Sequence, residues 1–174
     1  KVESGGIIDP YGGQKDIKGK VIRSVGNPSE RFNEDALRLM RAVRFATKLG
    51  FEMEENTFNA IVKNSMLLAM IAKERISDEL RKIVASNEPA FGIELLRVTG
   101  LLKNIMPELE EGFGVGQNKH HIYSVWEHNL RALAYTAKKG YSLEVRFAAL
   151  LHDVGKPLVK QGNGIDSTFY NHEV

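Results

Sequence analysis

Glycine placement constrains this chain more than any other feature. Gly5, Gly6, Gly12, Gly13, Gly19 and Gly26 crowd the first 26 residues, whereas later glycines such as Gly50, Gly100 and Gly140 fall where helical apolar patterns stop. Glycine favours turns and weakens helix interiors, so the distribution predicts a short turn-rich opening followed by a succession of helices. In the opening, the β-prone runs Ile7-Ile8 and Val21 to Val25 flank Asp9-Pro10-Tyr11-Gly12-Gly13, which reads as a β-hairpin or the last strands of a sheet. A lone hairpin is marginal, and the chain opens KVESGGIIDP without Met and closes on FYNHEV. The expectation is a piece of a longer protein.

From Asn33 onward the periodicity is helical. Asn33 is a candidate N-cap, Glu34 and Asp35 follow in the first turn, and Gly50 closes the helix, with Leu37, Met40, Val43 and Phe45 as its buried side. Further helices fit residues 54–65, with Phe58, Ile61 and Val62 inward, and 74–86, with Ile76, Leu80, Ile83 and Val84 inward. Pro89 starts the next helix, Gly100 ends it, and Leu101 to Leu109 continue to a break at Pro107. The stretch 111–119, EGFGVGQNK, is the expected linker. Beyond it Ser124 and Glu127 form a capping box for a helix running to Lys139, and Ser142 caps another from Leu143 to about Val154.

Bulk composition narrows the function classes. With 43% hydrophobic and 26% charged residues the 174-residue chain can build a core, as one domain or two small helical ones. A net charge of +2 excludes a polybasic arm, and the absence of Cys removes disulfides, thiolate zinc sites and cysteine nucleophiles. No apolar run approaches the roughly 20 residues that cross a bilayer, and the expected location is the cytoplasm.

Two constellations carry chemistry. In EDALRLMRAVRFATK, Arg38, Arg41, Arg44 and Lys48 recur every three or four residues and share one helix side with Glu34. Such a rail suits a triphosphate or an RNA backbone, because Arg stays charged and offers forked donors. Asp35 adds an acceptor beside those donors, the pairing that reads a nucleobase edge. A solvated outer face with charges arranged for the helix dipole is the plainer reading. The second constellation is His128 in one helix, His152-Asp153 at the end of the next, and His172. Consecutive helices joined by a short loop pack antiparallel, so His128 and His152-Asp153 are expected side by side. Imidazoles with a carboxylate suit a divalent first-row metal that activates water on a phosphoester.

These strings resemble the class II tRNA nucleotidyltransferases, the CCA-adding enzymes and their bacterial poly(A) polymerase relatives. IDPYGG resembles the motif ending the catalytic head, EDALRLMRAVRF the nucleotide-selecting motif of the neck, and ERISDELRKI the motif bracing it. His128, then HDVGKP, then FYNHEV resemble a His-Asp (HD) domain. The resemblance implies a mainly α fold: the end of an α+β head (residues 1–31, with Asp9), a helical RNA-binding neck (32–110), the linker 111–119, and the first part of an HD domain (120–174). It implies that Asp35 and Arg38 read the base of CTP or ATP, that Arg41 and Arg44 hold the nucleotide, and that Glu34, Glu74, Arg75 and Glu79 are structural. His128, His152, Asp153 and His172 match metal ligands, and the RNA is the tRNA acceptor end. The family's Mg2+ sits on an Asp-x-Asp pair, which occurs nowhere in these residues, so the expectation is that the piece selects nucleotide without catalysing transfer. The HD set's final Asp also has no counterpart here. The alternatives are a metal-dependent HD phosphohydrolase and a helical interaction module.

Overall fold

The computed structural model describes residues 7–118, 122–162 and 164–172. Gly5 and Gly6 of the turn-rich opening, Lys119, His120 and His121 at the linker boundary, and Glu173 and Val174 of FYNHEV lie outside the described residues. Ten α-helices and one two-stranded sheet make up the described architecture. The opening residues do not form the expected hairpin. Asp9 instead accepts hydrogen bonds from the N–H groups of Gly13 and Gln14 at 2.7 and 2.8 Å and starts helix α1, Gly13–Gly19. Those two bonds hold the Asp9 carboxyl below its ordinary pKa. Lys20, at φ 55°, turns the chain into strand β1, Val21–Ile22, which pairs in parallel with β2, Glu52–Met53. A parallel partner requires a crossover, and the helices between the two strands supply it; alternation within a run of five residues could not reveal a partner thirty residues away.

That crossover is where the second expectation changes. The long helix begins not at Asn33 but in two pieces: α2, Pro28–Glu34, and α3, Leu37–Leu49. Asn27 caps α2, accepting from the N–H groups of Ser29 and Glu30, and Pro28 sits at the first position, where its missing N–H costs nothing. Asn33 lies in the last turn and donates from Nδ2 to the Ser29 carbonyl at 2.8 Å. Asp35 is extended, at φ −151°, and its Oδ1 accepts from Leu37 N at 3.1 Å where the second helix begins. Gly50, at φ 64°, ends α3 in the left-handed conformation that glycine tolerates best.

The remaining helices are α4 (Glu55–Asn64), α5 (Lys73–Val84), α6 (Pro89–Val98), α7 (Pro107–Glu110), α8 (Val125–Lys138), α9 (Leu143–Leu151) and α10 (Lys156–Val159), with 3-10 turns at Ser65–Met70, Leu102–Asn104 and Gly164–Asp166. Ser124 and Glu127 form the expected capping box. Helix α9 stops at Leu151, three residues before the expected end, because His152 to Gly155 form a turn.

Helix α3 packs against α5 and α6, α6 against α8, and α8 against α9. One apolar cluster runs from Phe32 through Leu39, Met40, Ile61, Ile83 and Leu96 to Trp126, Leu133 and Leu150. Each such side chain contributes about 1.5–3 kcal/mol by leaving water. Phe45 and Val62, expected inside, are instead exposed; each lies across from the buried side of its helix, which Leu39, Met40, Val43 and Ala46 form in α3 and Thr57, Ala60 and Ile61 form in α4. Gly92 of α6 permits the close crossing of α3 and α5, since a Cβ there would sit 2.5 Å from Ile83 Cγ2 and 2.7 Å from Thr47 Oγ1. Arg146 of α9 donates to the carbonyls of Val84 and Ser86 at 3.1 and 2.8 Å, satisfying the end of α5.

Candidate functional site

The break at Asp35 arranges the first site. Because α2 and α3 meet there at an angle, Asp35 and Arg38 stand at a corner rather than along a straight rail. Arg38 Nη1 donates to Glu34 Oε2 at 2.6 Å and to the Arg31 carbonyl at 2.9 Å, and Arg31 Nη1 reaches the same Glu34 oxygen at 2.7 Å. These guanidiniums, Arg38 foremost, hold the Glu34 carboxyl below its ordinary pKa. The second oxygen of Asp35 accepts from Arg75 Nη2 of α5 at 3.3 Å. An open cleft of about 250 Å3 lies alongside, lined among others by Arg23, Arg31, Arg38, Arg41 and Phe45.

The three arginines of the stripe therefore divide. Arg38 and Arg41 face the cleft, and Arg41 is exposed and makes no ion pair among the described residues. Arg44 does not line the cleft: its Nε donates to Glu79 Oε2 of α5 at 2.6 Å, and its guanidinium lies 4.1 Å over the Phe45 ring. Glu79 is buried and also accepts from Lys82 at 2.9 Å. Glu74 is exposed in the first turn of α5. Nothing in the sequence pattern points to Arg23 and Arg31, which lie outside the helical stripe and reach the cleft only through folding.

The second site assembles at the opposite end. The start of α8 carries His128 and the turn after α9 carries His152-Asp153, so antiparallel packing brings His128 Nε2 to 3.1 Å from His152 Nε2. Asp153, with 5% of its side chain exposed, places Oδ2 at 3.6 Å from His128 Nε2 and 3.4 Å from His152 Nε2, while Oδ1 lies 3.5 Å from His172 Nε2. His172 reaches this position because Gly155 lacks a side chain: a Cβ there would collide with the carbonyl oxygen of His172. His152 Nδ1 is 2.9 Å from the Ala149 carbonyl and His172 Nδ1 is 2.8 Å from that of Phe169. A carbonyl only accepts, so each Nδ1 carries the proton and, in the neutral ring, each Nε2 presents a lone pair toward Asp153.

This donor set fits a divalent cation. One ligand atom from each of His128, His152 and Asp153 lies within 4.8 Å of the others, and backbone carbonyls orient the His152 and His172 rings as metal-bound imidazoles are usually oriented. Two residues of this site escaped the sequence reading. Lys156 Nζ donates to Asp153 Oδ2 at 2.7 Å and to Gln117 Oε1 at 2.8 Å. The i,i+3 spacing of Asp153 and Lys156 was visible in the sequence; the approach of Gln117 was not.

Comparison with known proteins gives the chain a family. Residues 50–113 match the family described as the probable RNA- and SrmB-binding site of polymerase A. The chain is 41% identical over 157 residues to the multifunctional CCA protein of Neisseria gonorrhoeae, covering 87% of this chain and 37% of that protein. It is 40% identical over 158 residues to the A-adding tRNA nucleotidyltransferase of Deinococcus radiodurans, covering 87% and 36%. The crystal structure of the Bacillus stearothermophilus CCA-adding enzyme in complex with CTP superposes with a TM-score of 0.66 at 38% identity, covering 88% of this chain and 36% of that one. The chain thus spans little more than a third of the length of these relatives. On this shared sequence and fold, the chain belongs to the family of class II tRNA nucleotidyltransferases, the CCA-adding enzymes and their bacterial poly(A) polymerase relatives.

Proposed function

We propose that this chain is the nucleotide-selecting and RNA-binding neck of a cytoplasmic enzyme that adds CCA or A residues to the tRNA 3′ end from CTP and ATP. The corner at Asp35 carries this reading. It sets the Asp35 carboxylate three residues before Arg38, whose guanidinium lines a cleft rich in arginine; in this reading acceptor and donors meet a base edge together while Arg41 attracts the phosphates. Arg44 serves the site indirectly in this reading, by fixing α3 on α5 through Glu79. Phosphoryl transfer needs divalent ions on paired carboxylates; with no Asp-x-Asp among these residues, we place Mg2+ outside them. No described helix is long and apolar enough to cross a membrane.

The test is made in the full-length enzyme. Replacing Asp35 or Arg38 by Ala should shift the ratio of CTP to ATP incorporation by about tenfold or more, the worth of a base-edge hydrogen-bond pair, with circular dichroism unchanged. Normal CCA synthesis at normal rates by both variants would sink the assignment.

The histidine cluster supports a second, separate reading. We propose that His128, His152 and Asp153, with His172 beside them, hold a divalent transition metal, which when bound supplies Lewis acidity for phosphoester chemistry. The relatives described above are named for nucleotidyl transfer, so a freestanding phosphohydrolase does not describe the chain as a whole.

A further inference from the structure

Lys156 has a side chain only 10% exposed, yet it bears an ammonium group. Its acceptors are the Asp153 carboxylate at 2.7 Å and the Gln117 amide oxygen at 2.8 Å, and the Phe169 ring centroid lies 5.6 Å away. Gln117 is itself oriented, since its Nε2 donates to the Tyr123 carbonyl at 3.1 Å just before α8. Lys160 ties down the same segment by donating to the Gly116 carbonyl at 2.8 Å. The oxygen that Lys156 bonds is Oδ2, the one that also stands nearest His128 and His152.

We infer that Lys156 is a built-in cation of the histidine cluster, one that acts through Asp153 Oδ2 and weakens the site's hold on a divalent metal by charge. The inference rests on the metal-binding reading of His128, His152 and Asp153. A metal shared by those three groups meets a carboxylate whose charge is already offset by an ammonium one hydrogen bond away. Asp153 and Lys156 are the sheltered members of the cluster, with 5% and 10% of their side chains exposed, and a cation beside them repels another more than it would in water. The metal is therefore held loosely and exchanges readily, while its own charge is less neutralised by its ligand.

The sign of the effect separates this role from a merely structural one. Loss of an ordinary orienting partner lowers metal affinity about 10- to 100-fold. Removing a repelling charge raises affinity. In the whole chain, titrated with Co2+ alone by calorimetry, Lys156→Met should bind about tenfold more tightly than the parent. Gln117→Glu, which leaves Lys156 in place and adds a compensating negative charge, should also tighten binding. Unchanged or weaker Co2+ binding by a folded Lys156→Met protein overturns the inference and leaves the metal site standing. If that variant does not fold, Gln117→Glu decides in the same way. Failure of the parent and both variants to bind Co2+ overturns the metal-binding reading and this inference with it.

Discussion

Arg44 Nε and Glu79 Oε2 lie 2.6 Å apart, joining α3 to α5 between residues 35 positions apart in sequence. The pair is mostly sheltered from water, with 15% and 7% of the two side chains exposed. It accounts for why one arginine of a regular basic stripe is withheld from the cleft that the others border. The same two helices are tied a second time at the corner, where Arg75 meets Asp35 at 3.3 Å. Helix α5 thus holds both ends of the segment that presents Arg38 and Arg41.

Truncating Glu79 leaves the Arg44 guanidinium buried without its carboxylate. Glu79→Ala should cost about 3 kcal/mol of stability in urea unfolding, the usual penalty for breaking one side of a sheltered pair. A paired exchange of Arg44→Met with Glu79→Leu should recover most of that loss. A cost below about 1 kcal/mol for the single variant would show that the pair does not brace the helices.

Gly92 lies where α6 crosses α3 and α5, and its importance is space rather than backbone freedom. Gly92→Ala should destabilise the chain by about 1–3 kcal/mol through overpacking against Ile83 and Thr47. Restoring room with Thr47→Ser should relieve part of that cost. Thermal unfolding of the parent, of Gly92→Ala and of the double variant measures both.

The capping box at α8 makes stability depend on acid. Hydrogen bonds from the Ser124 backbone N–H and hydroxyl hold the Glu127 carboxyl below its ordinary pKa of 4.5. A carboxyl with a lowered folded pKa contributes stability above its unfolded pKa and loses it as pH falls through the folded one. Glu127→Gln can still accept these bonds but carries no charge. The difference in Tm between parent and Glu127→Gln should be constant near neutral pH and should shrink as pH drops below about 4.5. A difference that stays level across that range would exclude the charge as its source.

Much of the chain is legible because it depends on neighbours in sequence. The capping box of Ser124 and Glu127, the stops at Gly50, Gly100 and Gly140, and the inward side of α5 all follow from spacings of three or four residues, and the structure shows each of them. The buried residues Ile76, Leu80, Ile83 and Val84 recur with the helical period that sets which side faces the core. The split of the long helix at Asp35 is harder to read. EDALRLM suits an unbroken helix, and the competing Asn27-Pro28 start lies in what looks like a turn-rich opening.

What the sequence alone determined is the kind of element, the residues with chemical capacity and, through resemblance, the family. Tertiary structure decided which capacity is available where. Arg38 and Arg44 have the same side chain on the same helix, yet one borders a cleft and the other is taken up by Glu79. The strand at Val21 found its partner at Glu52, and Asp153 acquired Lys156 and Gln117 alongside its histidines. Local periodicity fixes a residue's direction around its own helix axis. Only the packing of a second helix or loop fixes what that direction meets.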